Sequence, residues 1–292
     1  MPCHDPQFVP VRRKSLYARR RISYTQQVPC GRCLGCRKEQ ARQFSVRMMH
    51  EAAMHDYAYF CTLTYNDEEL PDNGSLVPAH LSGFIKDLRR GRPSGSVRFY
   101  GVGEYGEVTH RPHYHVMLYG VNFLDRVPHD AINRSNIWRS EVLDATWGRG
   151  FCEFGSVSMA SCSYVAGYVQ KKVGDTTISD YVNPMTGEIG ERPFARMSLR
   201  PAIGRRWIER YWMDVYPDDF VVVDGIECKP PRYYDKFMDL PDEKGGSAER
   251  RAIMEAVRDT RYNEMVDLPK DKLKAKAKIA ESRANLYKRD TI

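Results

Sequence analysis

His113-Tyr114-His115 sets two imidazoles one residue apart on either side of a phenol. In a strand, positions i and i+2 share a face, so the two histidines point together and Tyr114 points into the opposite layer. Such a pair is half of a metal site. Glu104 and Glu107 precede it across a short turn, and Glu104, nearer the strand body, is placed to face the histidines across the ladder. Two histidines and one carboxylate leave positions open, a donor set suited to Mg²⁺ or Mn²⁺ polarising a phosphate oxygen. An isolated H-x-H pair is more often structural or solvated, so its weight depends on what accompanies it.

A second group is Tyr164, Tyr168, Lys171 and Lys172. Tyrosines at i and i+4 share one helix face, and the lysines flank that stripe one turn later. Two phenols beside two ammonium groups suit attack on a phosphodiester, because a phenolate forms a covalent phosphotyrosine while lysine charge offsets the phosphate. The same spacing describes an amphipathic helix packing aromatic residues. Gly167 between the tyrosines weighs against packing alone, since mid-helix glycine costs about 1 kcal/mol. A third group is Cys30, Cys33 and Cys36, in C-x₂-C-x₂-C spacing with Gly31 and Gly35 allowing tight turns. A tetrahedral Zn²⁺ site needs a fourth ligand, for which Cys3 is the candidate and His4 the substitute. An iron–sulfur cluster competes, but no cysteine follows three residues later, so zinc is preferred over it; unliganded reduced thiols are the plain alternative.

The elements that must hold these groups are legible as pattern. Residues 1–36 read as an irregular basic arm and 37–55 as a helix. Segment 58–65 (AYFCTLTY) reads as a buried strand. Leu81, Phe84, Ile85 and Leu88 fall at i, i+3, i+4 and i+7, which predicts an amphipathic helix over 78–90. Strands are expected over 97–105 and 113–119, a helix near 135–146, a strand over 151–154 and a helix over 159–172. The order β-α-β-β-α-β is the split βαβ arrangement, an antiparallel sheet with helices on one face, and the fold class is α+β. Segment 211–223, with its Val221–Val223 run, reads as a further strand, and 229–234 as a rigid, basic, aromatic stretch. From 243 a charged helical tail is expected, broken at Pro269. The expected division is a cysteine-rich arm and helix over 1–55, a core over 56–175, its C-terminal extension over 176–240 and the tail over 241–292.

Charge points to the partner. The net charge of +7 is concentrated: residues 11–47 hold eleven Lys or Arg and one acid, Glu39, and residues 247–289 hold twelve basic and seven acidic groups. Basic ends on a chain with 11% aromatics suggest a polyanion such as nucleic acid. No run of 18 apolar residues exists, so no membrane span is expected, and the N-terminus lacks the charged-then-apolar order of a signal peptide. A cytoplasmic location with reduced or metal-bound cysteines is the expectation.

In combination the motifs resemble the HUH endonuclease superfamily, specifically its rolling-circle replication initiators. Phe60-Cys-Thr-Leu-Thr-Tyr65 looks like their first motif, His113-Tyr114-His115 like the metal motif and Tyr164 with Tyr168 like a two-tyrosine third motif. Pro29-Cys-Gly-Arg-Cys-Leu-Gly-Cys36, Arg111-Pro-His-Tyr-His115 and Lys229-Pro-Pro-Arg-Tyr-Tyr234 are similar to the initiators of Microviridae, especially the gokushovirus-like branch. The resemblance spans residues 3 to about 240. It departs from single-tyrosine members, which place one lysine near one nucleophile, so lysine roles stay open here. It implies an HUH-type fold, a divalent ion on Glu104, His113 and His115, and cleavage of single-stranded DNA at a double-stranded origin by Tyr164 and Tyr168. It further implies host helicase and polymerase as partners in the cytoplasm of a bacterial host cell. Arg32, Arg37, Arg111, Lys229 and Arg232 are the expected DNA contacts. Two other readings fit the same residues. One is a non-catalytic nucleic-acid-binding sheet stacking bases on Phe60, Tyr65, Phe99 and Tyr100; the other is a zinc hydrolase using water.

Overall fold

Three strands rich in aromatic and β-branched residues sit side by side and carry the histidines and the facing carboxylate. The computed structural model describes residues 3–14, 21–93, 95–106, 108–129, 136–172, 181–183, 187–263 and 269–286, with side chains outside 11–14, 21–24, 168–172, 262–263 and 285–286. In chain order the elements begin with strands β1 (Gln7–Lys14) and β2 (Arg21–Val28), helix α1 (Leu34–Ala52), β3 (Ala58–Tyr65), α2 (Pro78–Arg89), β4 (Arg98–Tyr105) and β5 (Pro112–Tyr119). There follow β6 (Val127–Pro128), β7 (Ile137–Arg139), α3 (Glu141–Trp147), β8 (Gly150–Ser156), α4 (Met159–Lys172) and β9 (Phe194–Met197). The chain ends in α5 (Arg205–Val215), β10 (Val221–Val223), β11 (Ile226–Cys228), α6 (Arg232–Met238), a 3₁₀ turn (Asp242–Lys244), α7 (Ala248–Asn263) and α8 (Lys270–Leu286).

The protein is mixed α+β. Its main sheet has seven strands in the order β6-β7-β8-β3-β5-β4-β9, and every neighbouring pair is antiparallel. The chain divides into two units, Ala41–Val257, which contains this sheet, and Met1–Gln40 with Arg258–Ile292. In the second unit β1 and β2 form a separate antiparallel ribbon, with Gln7 opposite Val28 and Lys14 opposite Arg21.

Alternation along the strands sorts side chains onto two faces. On one face Tyr59, Cys61, Leu63, Tyr114, Val116 and Leu118 are buried beneath Leu81, Phe84, Ile85 and Leu88 of α2 and Leu143 and Trp147 of α3. On the other, Tyr100, Val102, Met117 and Tyr119 pack against Met48 of α1 and Cys162, Val165 and Ala166 of α4. Helices therefore cover both faces, not one as expected. The reason lies in β4, which is buried at every position, and β5, which is buried at every position but His113. A strand buried on both sides needs cover on both. Each large apolar side chain so buried contributes roughly 1.5–3 kcal/mol.

Four corrections concern local pattern. The basic arm is not irregular, since Val9, Val11, Ile22 and Thr25 supply β-formers and residues 7–14 and 21–28 pair as β1 and β2. The helix expected near 135–146 begins only at Glu141, because Ile137–Arg139 form β7 and Ser140 caps the helix by accepting from the Leu143 N–H at 3.1 Å. Likewise the strand expected over 211–223 shrinks to Val221–Val223, the preceding residues to Val215 being the end of α5. Residues 232–234 open α6 rather than continuing a rigid extended stretch. The expected tail is helical on both sides of Pro269.

Candidate active site

The ladder places the site. Glu104 on β4 lies directly opposite His113 on β5, and on the other side of β5 Thr64 and Thr62 of β3 lie opposite His113 and His115. All these positions fall on the face covered by α1 and α4, while Tyr114 enters the opposite core and shares a 2.8 Å hydrogen bond with the Tyr65 hydroxyl. Glu104, His113 and His115 thus converge, with one ligand atom from each within 4.8 Å of the others. Glu104 Oε1 is 2.9 Å from Nε2 of His113 and 2.9 Å from Nε2 of His115. A carboxylate oxygen donates nothing, so protons on both rings or a cation must hold these three atoms together.

The surroundings favour a cation. His113 Nδ1 lies 3.2 Å from the Arg111 carbonyl, which only accepts, so Nδ1 carries a proton, and a bound metal would replace the Nε2 proton that otherwise faces Glu104. His115 Nδ1 is 3.1 Å from the Thr62 hydroxyl, which can donate or accept and so holds the ring in place in either tautomer. Glu104 Oε2 is buried with no hydrogen-bond partner among the described residues, an acceptor that a bound ion would satisfy. Burial pushes the Glu104 carboxyl upward, but hydrogen bonds from His113 and His115 outweigh it and hold the group below the usual carboxylate range. Burial lowers the His115 imidazole, against the pull of Glu104, keeping it in the neutral form that binds metals.

An open cleft of about 330 Å³ reaches the two histidines of this cluster and is lined by Thr62, Thr64, Arg111, His113, His115 and Tyr164, with Glu104 buried behind them. Tyr164 projects from α4, whose start is fixed by Ser158 and Ser161, each accepting from the other's backbone N–H. Its side chain is 45% exposed, and its ring stands edge-on to His115 with centroids 5.2 Å apart. Tyr168, Lys171 and Lys172 lie on the same helix, their side chains outside the described residues. Glu107 also lies outside them, so the third donor found with the histidines is Glu104. A Cβ at Gly167 would meet nothing within 4 Å, so close packing does not require that glycine.

The remaining expected residues are spread over both units. Arg111 lines the cleft, bonded to the Tyr65 carbonyl at 2.9 Å and paired with Asp67 at 2.7 Å. Lys229 pairs with Asp219 at 3.0 Å, and Arg232 is exposed at the start of α6. Arg32 is exposed and Arg37 half-buried in the other unit. There, Cys3, Cys30, Cys33 and Cys36 gather, all four sulfurs within 4.8 Å of one another. The Cys3–Cys33 and Cys30–Cys36 sulfurs are 3.9 and 4.0 Å apart, close to the roughly 3.8 Å edge of a tetrahedron with 2.3 Å metal–sulfur bonds. The backbone N–H groups of His4, Cys30 and Cys33 donate to sulfurs at 3.3, 3.3 and 3.4 Å. Burial works to raise the Cys33 thiol, but such hydrogen bonds bring it down to about 7.

The stacking-sheet reading is overturned by burial. Tyr65, Phe99 and Tyr100 lie in the two cores and offer no face to a base, and Phe60, half-buried, packs its ring against His115 and Tyr164. Thr62 is the site residue that sequence reasoning passed over. Its signal was the T-x-T alternation of 62 and 64, the same period that pairs the histidines.

An antiparallel α+β sheet with a His-x-His–carboxylate cluster beside an exposed tyrosine defines a candidate metal-binding site. Residues 58–173 match the family described as Replication-associated protein ORF2/G2P. The chain is 35% identical over 217 residues to "Replication-associated protein VP4" of Bdellovibrio phage phiMH2K, covering 70% of this chain and 65% of that one. It is 29% identical over 225 residues to "Replication-associated protein ORF2" of Spiroplasma virus 4, covering 73% and 68%. To "Replication-associated protein ORF4" of Chlamydia phage 1 it is 27% identical over 217 residues, covering 71% and 52%. The matched region therefore spans between about half and two thirds of these relatives' length. All three are of Microviridae, which bears out the resemblance read from the motifs. No solved structure matches the chain. Among the described residues no helix is long and apolar enough to cross a membrane.

Proposed function

We propose that this protein initiates rolling-circle replication of a small single-stranded DNA phage by nicking and rejoining its origin through tyrosine–DNA esters on an HUH-type split βαβ core. The observation that carries this reading is the convergence of Glu104, His113 and His115, with the two histidines lining one cleft together with Tyr164. Similarity to phage replication-associated proteins supports the biological setting. Glu104, His113 and His115 would hold Mg²⁺ or Mn²⁺, which when bound draws charge from the scissile phosphate. The hydroxyl of one of the two tyrosines, Tyr164 or Tyr168, attacks phosphorus, the bond to the 3′ oxygen breaks, and the 5′ phosphate stays on the phenol as an ester. The phenol loses a proton and the leaving 3′ oxygen gains one. The freed 3′ hydroxyl primes synthesis by a host polymerase, with a host helicase opening the duplex. The other tyrosine, one helical turn away, then cuts the regenerated origin, and the new 3′ hydroxyl attacks the first ester to close a circle. Lys171 and Lys172 offset the phosphate charge.

Arg111 in the cleft grips the cut strand, while Lys229, Arg232, Arg32, Arg37 and the charged tail hold duplex phosphates. The four cysteines hold a structural Zn²⁺, as their sulfur spacing favours. The reaction takes place in the cytoplasm of a bacterial host cell. His115→Ala should lower Mn²⁺-dependent nicking of an origin oligonucleotide at least about a hundredfold. Origin binding, measured by mobility shift, should change little. Nicking near the wild-type rate would contradict the metal role.

A further inference from the structure

The β1–β2 ribbon has no part in the nicking chemistry, yet its composition is the most one-sided in the chain. Residues 7–28 contain six cations, Arg12, Arg13, Lys14, Arg19, Arg20 and Arg21, and no acid. The antiparallel register is continuous over eight pairs and brings Arg12, Arg13, Lys14 and Arg21 to one end of the ribbon. By the two-residue period of a strand, positions 12, 14, 21, 23 and 25 fall on one face, a cationic and hydroxyl-bearing set. Phe8 is 58% exposed at the other end. Eight residues of strand span about 27 Å, and a two-stranded ribbon fits a major groove about 12 Å wide.

A lone two-stranded hairpin is marginal in water. Here its open end is flanked by the four cysteines: Cys3 precedes β1, while Cys30 and Cys33 follow β2 and Cys36 lies in the first turn of α1. Resting on the origin-nicking reading above, we infer that the ribbon is a duplex-DNA arm, and that the cysteine cluster is a metal clasp that closes its base. The occupant is double-stranded DNA rather than the cut single strand. Charge complementarity and the groove-sized ribbon both favour it, and nicking of a single strand does not require it.

The test uses full-length protein purified without chelator, a 30-base-pair duplex of mixed sequence, and a single-stranded origin oligonucleotide. Combining Arg12→Ala, Arg13→Ala, Lys14→Ala and Arg21→Ala should weaken duplex binding at least about tenfold at 0.1 M salt. The slope of log affinity against log salt should become shallower by up to about 3.6, near 0.9 for each phosphate no longer neutralised. Single-strand nicking should be unchanged. Replacing the three arginines with lysine should retain duplex affinity within about threefold, which separates charge from folding. Cys33→Ser should lose one equivalent of zinc by elemental analysis and lose duplex affinity with it. Unchanged duplex affinity and salt slope in the alanine variant would overturn the inference and assign the ribbon to a protein partner. Zinc retained at one equivalent in Cys33→Ser would overturn the clasp. Failure of the wild type to nick any single strand would instead sink the nicking reading, while the duplex measurements still decide the ribbon.

Discussion

Two buried carboxylates lie on the same face of the main sheet and are built for different ends. Glu51, on α1, is fully enclosed and fully partnered. Its oxygens take the Arg98 guanidinium, the Gly204 N–H at 2.7 Å and the His55 ring at 3.3 Å, while Arg98 also donates to the Pro201 carbonyl at 2.6 Å. Glu104 meets two imidazoles through one oxygen, leaves the other without a partner among the described residues, and adjoins an open cleft. Burial raises both carboxyls, and hydrogen bonds from the partners outweigh it and hold both low. The difference teaches that burial and a depressed pKa do not mark a site; incomplete satisfaction beside an opening does.

Exchanging the effects of the two glutamates is the harshest way to break that comparison. Glu51→Gln leaves the Arg98 charge buried and should cost about 3–5 kcal/mol of folding stability, read by urea unfolding. Glu104→Gln should change stability by under about 1 kcal/mol and yet lower metal-dependent nicking at least about a hundredfold. A stability loss at Glu104 as large as at Glu51, with metal affinity kept, would make both structural.

Thr62 sharpens the contrast at a smaller scale. Thr62→Val removes the partner of His115 Nδ1 and should weaken metal binding by about 10–100-fold, measured by calorimetric titration with Mn²⁺. Its melting temperature should stay within a few degrees of the wild type. Full metal affinity would reduce that hydrogen bond to packing.

The histidines repeat the lesson. His50 stacks on Trp207 with centroids 3.5 Å apart and bonds the Tyr234 hydroxyl at 2.7 Å, outside any expected ligand set. Burial pushes its pKa down to about 3. The unfolded chain therefore binds a proton there that the folded chain does not, and stability falls as pH drops from about 6.5 toward 3. His50→Gln should flatten this acid limb in thermal melts recorded between pH 7 and 4. An unaltered limb would place the acid sensitivity elsewhere.

Much of this was legible because it depends on short-range period. The strands at 58–65 and 112–119, helix 78–89 and helix 159–172 follow from alternation or from i, i+3, i+4 spacing, and the site's three donors follow from a two-residue repeat beside a facing strand. What escaped required pairing across distance. The Arg12–Lys14 and Arg19–Arg21 runs mask the alternation of β1 and β2, which pair with each other across the chain. That α1 covers the second face of the sheet follows from Met48 meeting Tyr100 and Met117, which no local pattern announces. The partnership of Thr62 with His115 needed the β3–β5 register. Tyr211 looked strand-like by residue type; it sits at a kink in α5 with non-helical backbone angles, while Ile208 before it and Val215 after it are buried on the helix.

The central claim is that a tyrosine on α4 becomes covalently joined to DNA beside the Glu104–His113–His115 cluster. The direct measurement incubates the protein with a 3′-end-labelled origin oligonucleotide and Mn²⁺, then resolves products under denaturing conditions and maps any adduct by mass spectrometry. The expected result is a protein–DNA band carried by Tyr164 or Tyr168, absent with chelator and absent when Tyr164→Phe and Tyr168→Phe are combined. Cleavage to a free 5′ phosphate with no adduct at any time point, or an adduct that survives in the double variant, would contradict it.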